Sequence, residues 1–206
     1  PAHMKHYNLV KEKQRWIRDN GEIDVFTALT VINKLQQITS GFILEDGLPA
    51  RFTEGSQRMN LLKEIIQDID GQIIIWARFR EEIAAIVKEL SGEYPLVEYH
   101  GGIKTADREK AVDFFQSGKA KLFVANAASA GTGLTLHAAE TAIYFSSTYS
   151  LEERQQSEDR CHRIGTKRNV VYIDLVASGT IDERIAVALQ SKKFIAAEIL
   201  GNIKSV

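Results

Sequence analysis

Short apolar runs that alternate with amphipathic stretches are the feature of this sequence that most restricts its fold. The clearest run is Ile-Ile-Ile-Trp-Ala at residues 73–77, and continuous runs of this kind are typical of strands buried on both faces. The predicted strands are residues 72–77, 96–99, 121–124, 141–145 and 170–175. The predicted helices are residues 81–90, 105–115, 151–162 and a segment from Ile181 onward. This alternation predicts an α/β fold whose parallel sheet is covered by helices on both faces.

The chain before these strands is predicted to be a helical N-terminal extension. Apolar positions recur at helical spacing over residues 23–38, whereas residues 41–53 contain Gly47 and Pro49 and are predicted to be a loop. A further helix is predicted over residues 56–68. Its inward positions are Met59, Leu62, Ile65 and Ile66. The expected organisation is a cloning remnant at 1–4, a helical lead-in at 5–55 and one α/β lobe at 56–206.

Composition excludes several classes of function. The formal net charge is −1, so no global positive field draws the chain to nucleic acid, and any such contact must come from local patches. The single cysteine, Cys161, cannot form an internal disulfide. No apolar run approaches the roughly 18 residues that a membrane span requires.

Residues 156–165, which read Gln-Ser-Glu-Asp-Arg-Cys-His-Arg-Ile-Gly, contain the strongest candidate for chemistry. On a helix, Arg160 and Arg163 lie three residues apart on one face. Guanidinium groups present a planar fork of donors that suits phosphate oxygens. Two interpretations are open: a grip on a terminal phosphate during phosphoryl transfer, or an exposed helix whose arginines are balanced by Glu158 and Asp159.

This run closely resembles motif VI of superfamily-two helicase-like ATPases in its Swi/Snf-type form, Gln-Ala-Glu-Asp-Arg-x-His-Arg-Ile-Gly-Gln. Only Ser157 and Thr166 differ from that pattern. The resemblance implies a RecA-like parallel sheet, in the second lobe of such an ATPase. It also implies that Arg163 is the arginine finger on the γ-phosphate, that Arg160 assists it, and that Gln156 positions the helix at the nucleotide cleft.

The Gly-rich segment at residues 126–136 resembles motif V, in the version found in the annealing-helicase branch. It fails as a dinucleotide fingerprint because Leu136 stands in the place of the third glycine. The resemblance implies that main-chain N–H groups at Gly131 and Gly133 face phosphate or a neighbouring lobe. Ala127-Ala128 replaces the usual Ser-Thr, so hydroxyl contacts to a DNA phosphate either pass to neighbouring residues or are absent. The nucleic-acid candidates here are Asn126, Ser129 and Thr132.

A second candidate nucleic-acid segment follows the strand at residues 96–99. The glycines of His100-Gly101-Gly102 allow close approach of the backbone, and the alternative is an ordinary tight turn. The segment resembles the family's Gly-Ser…Arg…Phe pattern, in which Arg108 fits the recurrent arginine. The candidates for phosphate contact are His100, Gly101, Lys104 and Arg108.

The acidic pair Asp182-Glu183 is not interpreted as a metal site, because Ala-Ser-Gly rather than an apolar strand precedes it. Thr180-x-x-Glu183 instead predicts a capping box that opens a helix. Residues 179–193 also resemble the Gly-Thr-Ile-Glu-Glu-Arg-Ile…Lys-Lys segment that follows motif VI in these ATPases.

The sequence contains no Gly-x-x-x-x-Gly-Lys-Ser/Thr loop and no Asp-Glu pair after an apolar strand. The resemblance implies that both belong to a missing first RecA-like lobe, which binds most of the ATP and Mg²⁺. No metal site is therefore expected in this chain, and the fragment alone is expected to be inactive and monomeric. The expected partners are the missing lobe and duplex DNA, with no membrane, in an intracellular compartment that is nuclear if the source is eukaryotic and otherwise cytoplasmic.

Three alternatives compete with this interpretation. An RNA helicase lobe would end motif VI in Gly-Arg-x-Gly-Arg, which the Cys-His-Arg at residues 161–163 disfavours. A non-enzymatic docking module for nucleic acid or protein would not need two aligned arginines. A nicotinamide-binding α/β domain is disfavoured by the failed glycine fingerprint.

Overall fold

The computed structural model describes residues 4–5, 7–12, 25–45, 48–51, 57–129, 134–161 and 169–191. Residues 58–175 form one compact unit, here called the sheet unit, and the described residues before and after it form a second. The elements in chain order are α1 (Val25–Thr39), β1 (Phe42–Glu45), β2 (Leu48–Arg51), α2 (Gln57–Gln67), β3 (Ile73–Trp76), α3 (Arg80–Leu90), β4 (Leu96–Tyr99), α4 (Thr105–Gln116), β5 (Leu122–Ala125), β6 (Thr141–Tyr144), α5 (Leu151–Cys161), β7 (Val171–Asp174) and α6 (Ile181–Gln190).

Five strands of the sheet unit form one parallel sheet in the order β4-β5-β3-β6-β7. The central strand β3 pairs with β5 on one side and β6 on the other, with Ile73 opposite Leu122 and Thr141. The chain therefore crosses β3 between β5 and β6, which puts the reversal of strand order at the middle of the sheet. The predicted α/β class, strand positions and parallel arrangement are confirmed.

Alternate residues of β3 enter two different hydrophobic cores. Ile73 and Ile75 share one core with α2 and α3, and Ile74 and Trp76 share the other with α4 and α5. Helices therefore cover both faces of the sheet, as predicted. Burying one side chain of this size stabilises a fold by about 1.5–3 kcal/mol. The buried helix residues of the first core are Met59, Leu62, Ile66, Ile83, Ile86 and Leu90, and those of the second include Phe115 and Cys161.

A β-hairpin occupies the segment that was predicted to be a loop, so that prediction is wrong for the residues of β1 and β2. These strands pair antiparallel, with Leu44 opposite Pro49. The N–H of Leu44 donates to Oε1 of Gln37 at 3.1 Å, and the carbonyl of Leu44 accepts from Nζ of Lys34. Because side chains of α1 satisfy both backbone groups of Leu44, the strand opposite can contain a proline without leaving them unpaired.

Helix α6 begins at the cap that the sequence indicates. Oγ1 of Thr180 accepts from the backbone N–H of Asp182 at 3.2 Å, which satisfies one free donor of the first turn. The carboxylate of Glu183, the second half of the predicted box, instead accepts from the Ser178 hydroxyl at 3.0 Å. The hydroxyl of Tyr7 accepts from the first backbone N–H of α6 at 2.6 Å. The acidic pair thus opens a helix, as expected.

Candidate nucleotide and nucleic-acid interface

The carboxyl ends of the three central strands are joined at one edge of the sheet. Arg78, Asn126 and Ser146 lie one or two residues beyond β3, β5 and β6. The backbone N–H of Arg78 donates to Oγ of Ser146 at 2.9 Å, and the side-chain amide of Asn126 donates to the carbonyl of Arg78. Ligands bind at this edge in parallel α/β sheets, because the strand order reverses there.

A buried carboxylate holds the start of α3 against the same edge. Glu82 is 2% exposed and accepts from the Ser146 hydroxyl at 2.6 Å and from the backbone N–H of Phe79 at 2.9 Å. Oε2 makes both of these bonds, and a carboxylate oxygen removed from water is costly unless such donors meet it. The end of β6 and the start of α3 are therefore fixed to each other.

Arg78, which is not among the predicted site residues, lies against two aromatic rings at this edge. Its guanidinium carbon lies 4.2 Å from the ring centroid of Tyr149 and 5.3 Å from that of Phe79. Burial lowers the pKa of Arg78, and Tyr149 and nearby carboxylates partly oppose that effect. A basic residue directly after a fully buried strand was the signal that could have identified it.

The turns after β4 and β5 bring four predicted nucleic-acid residues together. The backbone N–H of Gly101 donates to Oγ of Ser129 at 3.1 Å, and the N–H of Ser129 donates to Oδ1 of Asn126 at 3.3 Å. The N–H of Gly102 donates to Nδ1 of His100 at 3.0 Å. Asn126 and Ser129, the candidates for replacing the lost hydroxyls, therefore also stabilise the turns themselves.

The other two predicted contacts near β4 are Lys104, just before α4, and Arg108, on its first turn. Lys104 is exposed at the N-cap. Arg108 is half-buried, with its guanidinium 5.6 Å from the ring centroid of Tyr99 and Nη2 donating to Thr105 at 3.1 Å. Its Nε is buried and has no hydrogen-bond partner among the described residues. Arg108 also lines an open groove of about 600 Å³, together with Tyr99, Glu109, Asp113, Thr135 and His137.

Helix α5 presents two different faces. Arg154, Ser157 and Cys161, at helical spacing, are buried against the sheet. Gln156 is exposed and donates to Oε1 of Glu152 at 3.1 Å, and Arg160 is four residues further along the same side. Nε of Arg160 is buried without a hydrogen-bond partner among the described residues. Glu158, which with Asp159 would balance the two predicted arginines in the alternative interpretation, pairs with Arg154 at 2.6 Å.

The remaining predicted site residues lie outside the described residues. These are Gly131, Thr132, Gly133 and Arg163. The alignment of Arg160 with Arg163 therefore stays a prediction. The described part of α5 ends at Cys161, one residue after Arg160.

The described residues include neither a candidate membrane span nor a candidate metal cluster. They contain no helix that is both long enough and apolar enough to cross a membrane. Nor do they contain a group of three or more His, Cys, Asp or Glu side chains that could hold a metal ion.

Comparison with known proteins assigns a family to most of the sheet unit. The family model of the helicase conserved C-terminal domain matches residues 57–165. An uncharacterized ATP-dependent helicase of Mycoplasma pneumoniae is 26% identical over 207 residues, which cover 97% of this chain and 20% of that protein. The DNA excision repair protein ERCC-6-like of Bos taurus is 29% identical over 157 residues, which cover 75% of this chain and 12% of that protein. The chain thus spans a fifth or less of these relatives.

A solved structure supports the same assignment. The Sulfolobus solfataricus SWI2/SNF2 ATPase core in complex with dsDNA superposes with a TM-score of 0.72 at 27% identity. The match covers 93% of this chain and 42% of that one. The parallel sheet with helices on both faces is therefore of the RecA-like type found in such cores.

Proposed function

Because the chain belongs to the helicase conserved C-terminal domain family, in its Swi/Snf-type form, we propose that it is the second lobe of a DNA-stimulated ATPase that translocates on duplex DNA. The chain is a small part of its relatives, so the activity belongs to the full-length protein. The observation that carries the proposal is the guanidinium of Arg160 in the last turn of α5, whose Nε is buried without a hydrogen-bond partner among the described residues.

Arg160 has the properties that an anion-binding side chain needs. Its Nε is buried and lacks a hydrogen-bond partner among the described residues, and a desolvated donor of this kind is stabilised by an anionic acceptor. In the proposed mechanism Arg160 and Arg163 approach the γ-phosphate when the two lobes close. Both guanidinium groups then stabilise the negative charge that develops on the transferred phosphoryl group. Gln156, on the side of Arg160, positions α5 at the cleft.

The donors on this chain fit the terminal phosphates of ATP. Arginine forks match phosphate oxygens, and main-chain N–H groups at Gly131 and Gly133 would add donors at the same cleft. Bound ATP with Mg²⁺ supplies the transferable phosphoryl group, and the missing first lobe holds most of both. This chain contributes orientation and charge stabilisation at the phosphate end.

The DNA track of this lobe comprises the turns after β4 and β5 and the first turn of α4. Lys104 and Arg108 supply positive charge toward the phosphate backbone, and the N–H groups of the turns supply neutral donors. The dsDNA in the Sulfolobus complex supports duplex DNA as the partner. The residues assigned to the track are His100, Gly101, Lys104, Arg108, Asn126, Ser129 and Thr132. In this proposal the protein is intracellular, and the fragment alone is a monomer that binds DNA weakly.

The test is the steady-state ATPase rate of the full-length protein with and without duplex DNA. Wild-type protein is compared with Arg160→Ala, Arg163→Ala and, as a matched control, Arg184→Ala. Arg184 is an exposed arginine of α6. We expect the Arg163 variant to lose about 10³–10⁵ in kcat, the range for an arginine finger, and the Arg160 variant to lose less. The control is expected to match wild type.

Each outcome bears on the proposal. A DNA-stimulated rate that depends on Arg163, together with a silent isolated fragment, supports the second-lobe function. Robust hydrolysis by the fragment alone would mean that it contains a complete nucleotide site. A full-length protein that binds DNA but hydrolyses ATP equally well without either arginine would leave a docking module as the better account.

A further inference from the structure

The guanidinium of Arg154 joins three elements of the sheet unit. Nη1 and Nη2 both donate to the carboxylate of Asp174 at the end of β7, the second at 3.2 Å. Nε donates to Oε1 of Glu158, one turn further along α5, at 2.6 Å. The guanidinium carbon lies 3.5 Å from the ring centroid of Tyr144 in β6. A planar guanidinium that is hydrogen-bonded along two edges and stacked on one face can adopt only one orientation.

The groups around Arg154 are themselves held in place. The hydroxyl of Tyr144 lies 2.7 Å from Oγ of Ser157, which donates to the carbonyl of Arg154 at 2.7 Å. The hydroxyl of Ser147 donates to Oδ1 of Asp174 at 2.9 Å. Burial opposes the charge on Arg154, but the bonds to Asp174, the contact with Tyr144 and the bond to Glu158 raise its pKa above the ordinary value. The cation therefore persists at any working pH.

A second contact fixes the far end of the same helix. The backbone N–H of Leu136, which is fully buried, donates to the carbonyl of Arg160 at 2.9 Å. Arg154 and Arg160 are six residues apart, about 9 Å along the helix axis. With one contact near each end, α5 can neither rotate about its axis nor slide along the sheet without breaking one of them.

Stability alone does not account for this arrangement. Replacing a buried ion pair by well-packed apolar residues is often neutral or stabilising, because desolvation offsets the attraction. The side chain of Asp174 is also 32% exposed, so solvent screens part of the pair. What an apolar pair would not reproduce is the fixed angle of a bidentate guanidinium–carboxylate contact.

We propose that Arg154 is a positioning residue, which fixes the rotation of α5 through Asp174 and thereby directs Arg160 toward the nucleotide. This inference rests on the proposed ATPase function. Arg154 does not touch the nucleotide and acts through the helix it anchors. Small errors in the placement of a catalytic group reduce rates strongly, so a loosened α5 is expected to lower turnover more than affinity.

The first test measures kcat and KM for ATP in the full-length protein at saturating duplex DNA. We expect Arg154→Met and Asp174→Asn each to lower kcat about tenfold, with KM changed less than twofold. The double variant is expected to lose no more than either single one, because both remove the same contact. Arg154→Lys keeps the charge without the fork and should recover part of the loss. Lys63→Met, which removes a charge from the exposed Lys63–Glu89 pair, is the control and should match wild type.

The second test does not depend on turnover. Hydrogen exchange of the Leu136 amide reports the contact with Arg160, and exchange of the Ile75 amide in β3 reports global unfolding. We expect Arg154→Met to accelerate exchange at Leu136 at least tenfold and to leave Ile75 unchanged. Equal acceleration at both amides, or a kcat per folded molecule equal to wild type, would overturn the positioning role. If wild type itself does not hydrolyse ATP, the proposed function fails, and the exchange result still decides whether Arg154 fixes α5.

Discussion

The backbone N–H of Leu136 donates to the carbonyl of Arg160 at 2.9 Å, so the segment before β6 is bonded directly to the last turn of α5. Leu136 is fully buried in the core that contains Trp76, whereas Arg160 is only half-buried. Within the described part of α5 the last carbonyls have no intrahelical partner, and the core supplies one for Arg160. The position of a candidate catalytic residue is thus determined by the packing of the sheet.

We expect the buried bond between Tyr144 and Ser157 to be visible as coupling between two substitutions. Ser157→Ala leaves the Tyr144 hydroxyl buried without this partner, which costs about 1–3 kcal/mol. Tyr144→Phe removes the hydroxyl and retains a ring beneath Arg154. The free energy of unfolding of the double variant should therefore be about 1 kcal/mol higher than the sum of the two single effects predicts. Urea unfolding of all four proteins measures the difference, and strict additivity would contradict the contact.

Cys161 is expected to be chemically inert in the folded protein. The thiol is 1% exposed, and burial, assisted by Glu158, raises its pKa to about 12. The thiolate is the reactive form, so a disulfide reagent at pH 8 should react with unfolded protein within minutes and with folded protein only as fast as it unfolds. Rapid stoichiometric labelling of native protein would contradict this placement.

The same raised pKa of Cys161 predicts a loss of stability at high pH. The folded thiol stays neutral to about pH 12, whereas the unfolded thiol ionises near 8.5–9. As the pH rises, the unfolded state therefore loses the thiol proton before the folded state does, which favours unfolding. The contribution of the neutral thiol to the free energy of unfolding is complete below about pH 8.5 and is lost as the pH rises toward 12. Between pH 9 and 10.5 the free energy of unfolding should fall by up to about 1.4 kcal/mol per pH unit more in wild type than in Cys161→Ala. Parallel curves for the two proteins would show that the thiol does not contribute.

Two glycines provide a matched test of backbone conformation. Gly118, after α4, has a φ of +76°, whereas the φ of Gly92, after α3, lies outside this left-handed range. A Cβ added at either glycine would have no heavy atom within 4 Å apart from its chain neighbours. Gly118→Ala should lower the free energy of unfolding by about 1–2 kcal/mol, the cost of a left-handed residue with a side chain. Gly92→Ala should be neutral or stabilise slightly, because it restricts only the unfolded chain. Thermal unfolding of both variants decides, and equal effects would contradict the assigned conformations.

The sequence predicted the five-stranded sheet because buried parallel strands leave a local signal. The run at residues 73–77 has no polar interruption, and its neighbours repeat the pattern with turns between them. The hairpin was missed because a proline usually interrupts a strand by removing a backbone hydrogen-bond donor. That loss is tolerated at Pro49, since the backbone groups of Leu44 opposite it bond instead to Gln37 and Lys34 of α1. Local sequence does not contain that information.

The site residues that belong to one continuous sequence motif could be predicted, whereas a residue whose partner lies on another element could not. Arg160 and Gln156 come from one continuous run, and the structure puts them on one side of α5. Arg154 was not among the predicted site residues, because its partner Asp174 is 20 residues away on another strand. The spacing of Arg154 with Ser157 and Cys161 was the only hint that it faces the core.

At the start of α4, the DNA track is expected to contact phosphate through Lys104 and Arg108. Lys104 is the N-cap of this helix and Arg108 lies in its first turn, whereas Lys110, two residues beyond Arg108, points to nearly the opposite side of the helix from Arg108. Each phosphate contact releases counterions, so Lys104→Ala and Arg108→Ala should each reduce the slope of log Kd against log salt by about 1 in the full-length protein. Lys110→Ala removes the same charge and should leave the slope unchanged.

Binding to several unrelated duplexes at 50 to 200 mM salt separates this arrangement from its competitors. A contact to phosphate weakens all duplexes equally, because phosphates do not carry the base sequence. If Lys110→Ala changes the slope as much as Lys104→Ala does, the effect is one of overall charge and α4 has no defined DNA-facing side. If neither Lys104→Ala nor Arg108→Ala changes the salt slope, the DNA track does not include α4. The groove beside Arg108 and Tyr99 would then bind a different ligand.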